Sequence, residues 1–255
     1  MHTNWLNTSR GKRNETVYQA QSARRDTKKT QTKKIDGARE NKTAICVGGE
    51  VECEDRSEKM RILLGMPCVR EIPTKTVISL LQTVQKGVVE PMIVEGSLIY
   101  DSRDAIAKYA VDNDYDYVLY ADSDMVFSAD DLKRLVSHDT DICSGLYVTR
   151  RGENKNVCYS KIITRRRFPY RQPELIHDTK TSGYGSVAAV GFGFCLIKCS
   201  VLKSMFKRYK SLFEPKWGVG EDIAFCIRAR KCGYEIFADR DVNLGHIGET
   251  VFSLQ

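Results

Sequence analysis

The chain has 255 residues, 42% hydrophobic and 29% charged, enough to bury one sizeable core, and a formal net charge of +7 that is unevenly spread. The first forty residues hold ten Lys and Arg against four Asp and Glu, so the basic balance describes an extension and leaves the remaining 215 residues close to neutral. Nine cysteines, an odd number with no Cys-x-x-Cys pair, argue against a disulfide framework, and no apolar stretch approaches the ~20 residues a membrane span needs. The expectation is a cytoplasmic protein with reduced, buried thiols and no signal-peptide core.

Residues 1–58 lack proline, carry few large apolar side chains and contain Arg24-Arg25, Lys28-Lys29 and Lys33-Lys34, a composition that cannot offset the entropy of ordering. They are expected to form a disordered or weakly structured basic extension, either solubilising or in contact with a polyanion. A short strand pair over 44–47 and 51–53, turned by Gly48-Gly49, is the one element they suggest.

From Met60 the pattern alternates. Met60–Met66 reads as a buried strand broken at the sheet edge by Pro67. A helix over about 74–85 follows, with Val77, Leu80, Leu81 and Val84 at helical spacing, then a strand over 91–94. A second helix over 101–112 places Ile106, Tyr109 and Ala110 on one face and feeds the strand Tyr117–Ala121. Ser128, with Asp131 three residues on, starts a third helix, and 141–147 returns to the sheet.

The second half is less regular. Strands are expected over 157–164 and 185–190, around a basic insert containing Arg165-Arg166-Arg167. Gly191-Phe192-Gly193-Phe194 precedes the strand 195–197 and a helix to Phe206. A helix over about 221–232 is closed by Gly233, and a short strand over 234–238 precedes His246. The strand–helix alternation calls for an α/β fold, a Rossmann-like, mainly parallel sheet flanked by helices over residues 59–255.

Chemistry concentrates at a few points. An apolar strand that ends in Asp122-Ser123-Asp124 puts two carboxylates at the carboxyl edge of a sheet, a place for a divalent cation and a diphosphate. Gly220-Glu221-Asp222 opens a helix with two more. Together with Gly191-Phe192-Gly193 and the late His246, these motifs resemble the GT-A glycosyltransferases, closest to the small family-2-like enzymes common in phage and bacterial genomes. The resemblance covers about residues 60 to 250.

That resemblance implies a sugar transferred from a nucleoside-diphosphate sugar, with Mn²⁺ or Mg²⁺ stabilising the departing diphosphate. It implies Asp124 as a direct metal ligand, with Asp122 on the ribose or on a metal-bound water and Ser123 beside the nucleotide. It implies His246 as a further ligand, and imidazole suits Mn²⁺ better than Mg²⁺. Asp222 would be the base of an inverting transfer, with Glu221 positioning the acceptor and the helix start favouring the ionised form. Arg103 would contact the nucleotide and Pro67 would edge the base pocket, while Trp217, Gly191 and Gly193 would face the acceptor. The acceptor itself is open among sugar, protein, lipid carrier and a modified DNA base. Two other readings stand beside this one. A nucleotidyltransferase would want a glycine-rich basic loop after the first strand, which Met66-Pro67-Cys68-Val69-Arg70 is not. A non-catalytic nucleic-acid-binding protein would use the basic extension and would have no need of metal ligands and a base.

Overall fold

The computed structural model describes residues 60–96, 98–149, 155–164, 173–216 and 218–248. The basic extension, its suggested strand pair, Arg165–Arg167 and Trp217 lie outside the described residues.

In chain order the elements are β1 (Ile62–Cys68), α1 (Thr74–Thr83), β2 (Val89–Glu95), α2 (Ile99–Asp112), β3 (Tyr117–Ala121), β4 (Met125–Val126), α3 (Ala129–Ser137) and β5 (Ile142–Leu146). They continue with β6 (Cys158–Thr164), β7 (Pro173–His177), β8 (Tyr184–Val187), β9 (Ala189–Val190), β10 (Phe194–Lys198), α4 (Cys199–Phe206), α5 (Glu221–Lys231), β11 (Ile236–Asn243) and β12 (Gly245–His246). A seven-stranded sheet runs β2-β1-β3-β10-β5-β11-β8. Five of its strands point one way, while β10, between β3 and β5, and β8, at the edge, run opposite. A three-stranded sheet β7-β6-β9 and the pair β12-β4 complete the set.

Alternation along the strands divides the interior into two cores. Leu63, Val118, Tyr120, Cys195 and Ile197 face α2, α4 and α5, whereas Ile62, Leu64, Met66, Leu119, Ala121 and Leu196 face α1 and α3. Both faces are therefore covered, which is why β1, β3 and β10 read as continuous apolar runs. Helix α2 lies close on β1 because Gly65 has no side chain. A Cβ there would sit 2.3 Å from Ile106 Cγ2.

Several expectations are corrected. Strand β1 is not broken at Pro67 but runs one residue past it, to Cys68; pairing with β3 stops at Gly65↔Tyr120, so Pro67 is laddered with β2 alone. Helix α1 is turned relative to its apolar pattern. It buries Thr76, Ser79, Leu80 and Thr83 and leaves Ile78 and Leu81 exposed. Two of the three buried hydroxyls have partners that favour this: Ser79 Oγ accepts from Phe127 N–H at 3.0 Å and Thr83 Oγ1 donates to Ser79 O at 2.8 Å, whereas Thr76 Oγ1 has none. On α2, Ile106 and Ala110 are buried as expected, but Tyr109 is exposed and Arg103 and Asp104 are buried instead. The apolar run at 185–190 divides into β8 and β9, which belong to different sheets, and the last long strand is shifted to Ile236–Asn243 with an irregular register past Asp239. The capping box at Ser128 and Asp131 forms as read.

Candidate active site

The carboxyl ends of β1, β3 and β5 lie at one edge of the sheet. Because β10 is antiparallel, its start lies there too, with Phe194 opposite Ala121. Asp122 leaves β3 at this point and its N–H donates to Gly193 O at 3.0 Å, while Met125 N–H donates back to Asp122 O at 3.1 Å. This turn carries Ser123 and projects Asp122 and Asp124 over the edge.

Arg103, on the second turn of α2, enters the same space. Its side chain is 2% exposed. Nη2 donates to Asp122 Oδ1 at 2.7 Å and Nη1 to Glu221 Oε1 at 2.9 Å. The guanidinium lies 5.4 Å over the Phe192 ring, part of an aromatic floor with Tyr120, Phe213 and Phe225. Its backbone is held by Tyr120 Oη, which donates to Arg103 O at 3.0 Å. Burial alone would lower the arginine, but Asp122, Glu221 and Asp222 together raise it above its ordinary value.

Helix α5 supplies Glu221 and Asp222 from its first turn. The segment leading to it is anchored by two buried charges. Asp104 accepts from Leu212 N–H at 2.8 Å, and Arg228 donates to Leu212 O and Glu214 O at 2.9 and 2.6 Å. Asp222 Oδ1 accepts from its neighbour Ile223 N–H at 2.7 Å. Burial, reinforced by the Glu221 charge and opposed by Arg103, pushes the Asp222 carboxyl up to about 6. Burial and the Glu221 charge thus outweigh Arg103 and the Ile223 N–H, which favour the ionised form. Burial likewise raises Asp122, against the pull of Arg103.

Asp124 faces the other way, toward β12. His246 Nε2 is 3.5 Å from Asp124 Oδ1, and His246 Nδ1 lies 2.7 Å from Val148 O. A carbonyl can only accept, so Nδ1 carries a proton and Nε2 is the nitrogen turned to the Asp124 carboxylate, the nitrogen a metal-ligating imidazole would present. The pairing of β12 with β4 sets this geometry, with His246 opposite Met125, and Ile247 N–H donates to Asp124 O at 2.9 Å. Among the described residues no three His, Cys, Asp or Glu side chains converge as a closed metal site. A carboxylate and an imidazole nevertheless fit an open divalent-cation site, and an imidazole donor suits Mn²⁺ better than Mg²⁺. Asp122 is turned differently, with its Oδ1 accepting from Arg103 Nη2.

The glycine pair has a packing role. A Cβ on Gly191 would lie 2.0 Å from Tyr147 Oη and one on Gly193 2.8 Å from Tyr147 Cζ, so the room expected for an acceptor is filled by this tyrosine. Tyr147 Oη accepts from Gly193 N–H at 3.0 Å, and its ring meets the His246 ring edge-on at 5.5 Å. One buried tyrosine thus ties the Asp122 turn to His246. Sequence reasoning missed it; its only signal was a place at the end of an expected strand.

Pro67 lies on β1 opposite Val94. A cavity of about 290 Å³ opens one strand over, between the end of β2 and the start of α2, lined by Val94, Glu95, Gly96, Leu98, Asp101 and Ser102 among others. Pro67 does not line it. A larger cavity of about 370 Å³ lies at the opposite edge, where Tyr117 begins β3 and Lys198 ends β10. It holds none of the carboxylates just described.

No family model matches the chain, and no curated protein does. Among solved structures, the chain is similar to A197 from STIV with a TM-score of 0.50 and 19% identity over 77% of this chain and 98% of that one. At that identity the likeness shows a shared fold. GalNAc-T7, solved with UDP, GalNAc and Mn²⁺, gives a TM-score of 0.48 and 11% identity over 74% of this chain and 44% of that one, a likeness too slight to carry an assignment.

Proposed function

We propose that the protein is a GT-A-type glycosyltransferase that moves a sugar from a nucleoside-diphosphate sugar to an acceptor hydroxyl. The observation that carries this reading is the meeting, at one sheet edge, of a carboxylate–imidazole pair, Asp124 and His246, with a buried carboxylate, Asp222, poised as a proton acceptor near neutral pH. A divalent cation held by Asp124 and His246 would neutralise the diphosphate as it leaves. Asp222 takes the proton of the acceptor hydroxyl. The acceptor oxygen bonds to the anomeric carbon as the bond to the diphosphate oxygen breaks, and the electron pair leaves with the diphosphate. A base on the face opposite the leaving group inverts the anomeric centre. Glu221, held by Arg103, keeps the start of α5 in register with this geometry. Residues 1–58 stand apart from this chemistry as a basic extension suited to a polyanion.

The test is release of nucleoside diphosphate from a panel of nucleotide sugars in the presence of Mn²⁺, with and without EDTA. Release from one nucleotide sugar that EDTA stops is the expected result. A folded protein that releases none, with metal supplied, would overturn the reading.

A further inference from the structure

Three carboxylates, Asp122, Glu221 and Asp222, crowd one guanidinium. Two of them are paired with it, at 2.7 and 2.9 Å, through different nitrogens of the same side chain. No cation among the described residues lies within ion-pair distance of Asp222, whose Oδ1 accepts from its neighbour's N–H. The third donor of the arginine, Nε, is buried with no hydrogen-bond partner, so the fork is oriented by its two ion pairs and by Phe192 rather than by a full set of bonds. A lysine could not do this, because only a planar fork meets two carboxylates on separate elements at once.

We propose that Arg103 is a positioning residue that assigns the roles of the three carboxylates. By holding Asp122 after β3 with one nitrogen and Glu221 on α5 with the other, it locks the donor edge to the acceptor edge and leaves Asp222 as the one free to take a proton. This rests on the transferase reading and replaces a nucleotide contact for Arg103 with a structural link between two halves of the site. The titratable and charged groups that act on Asp222 or feel its charge are Glu221 and Cys226 on its own helix, Arg103 on α2, Asp122 after β3, Tyr147 after β5 and Tyr159 on β6. Glu221 and Asp122 push the Asp222 carboxyl up and Arg103 pulls it down, so the two ends of one ion pair have opposite effects on the base.

The experiment compares Arg103→Gln with Glu221→Gln in the full chain, reading the ascending limb of the pH–rate profile for nucleotide-sugar hydrolysis and, independently of any donor, the ¹³C carboxyl titration of Asp222. Arg103→Gln is expected to move both midpoints up by about one pH unit, and Glu221→Gln to move both down by a similar amount. Midpoints that stay put or move together in folded variants would overturn the proposal. If Arg103→Gln does not fold, the downward shift in Glu221→Gln decides alone, and no shift there overturns it. Opposite carboxyl shifts in a protein that hydrolyses no nucleotide sugar would uphold the charge division while rejecting the transferase reading on which its role depends.

Discussion

Two parts of the molecule bury carboxylates, with opposite results. On the β11–β8 side, Asp178 accepts two bonds from Arg240, including Nε at 2.7 Å, and Asp239 meets Arg134 Nε at 2.6 Å and His138 Nε2 at 2.7 Å. Burial acts to raise both, but Arg240 and the Lys180 N–H bring Asp178 below its ordinary value, and Arg134, His138 and the Asp241 N–H do the same for Asp239. At the β3–α5 edge, Asp122, Glu221 and Asp222 share Arg103, and burial wins at Asp122 and Asp222. The difference is the supply of cations. Where each buried carboxylate is met directly by a guanidinium, Asp178 by Arg240 and Asp239 by Arg134 with His138 beside it, the cluster is a fastener; where three crowd one guanidinium, Asp222 is left without an ion pair.

The contrast breaks if the wrong cluster controls turnover. Asp222→Asn is expected to lower donor hydrolysis about 10²–10⁴-fold, the range of a lost general base, while leaving the melting-temperature rise with nucleoside diphosphate intact. Steady-state rates beside a thermal-shift control check this. Asp178→Asn should do the reverse, costing about 3–5 kcal/mol of stability by stranding the buried Arg240 and leaving any pH–rate profile of the folded variant in place; urea unfolding measures it.

Smaller effects sharpen the comparison. Asp124→Asn or His246→Ala should weaken Mn²⁺ binding about 10–100-fold in a metal titration, with Asp122→Asn doing less because Arg103 already occupies it. The pH dependence of stability should also separate the clusters. Asp178 and Asp239, lowered in the fold, contribute stability above the ordinary carboxylate range that is lost as pH falls through their folded values. Asp222, raised from 3.8 to about 6, contributes stability that is present below 3.8 and lost as pH rises to about 6. Asp222→Asn should therefore gain a few degrees of Tm over wild type at pH 7 and little at pH 4, since about 1 kcal/mol moves Tm by roughly 2–4 °C in a domain of this size.

The chemistry-bearing ends of elements were legible in the sequence, and their partners were not. The apolar run Tyr117–Ala121 and the Gly220–Asp222 helix start are local patterns, and both form where they are read. The Arg103–Glu221 pair spans 118 positions, and nothing in a helix start marks its arginine as buried. The use of Gly191 and Gly193 is of the same kind, since the side chain that fills their space comes from Tyr147, more than forty positions earlier and just past β5. Helix α1 misled because two of its buried hydroxyls, Ser79 and Thr83, find partners at Phe127 and within the helix, which no hydropathy pattern carries. The two-residue strands β4 and β12, which bring His246 to Asp124, are too short to show periodicity at all.

The most direct measurement is a thermal-shift matrix of nucleoside diphosphates and nucleotide sugars, each with and without Mn²⁺, on the wild type and on Asp124→Asn. The expected result is stabilisation by one nucleotide that requires Mn²⁺ and is lost in the variant. Stabilisation that ignores the metal and survives Asp124→Asn, or none with any nucleotide in a folded protein, would contradict the placing of donor and cation at this edge.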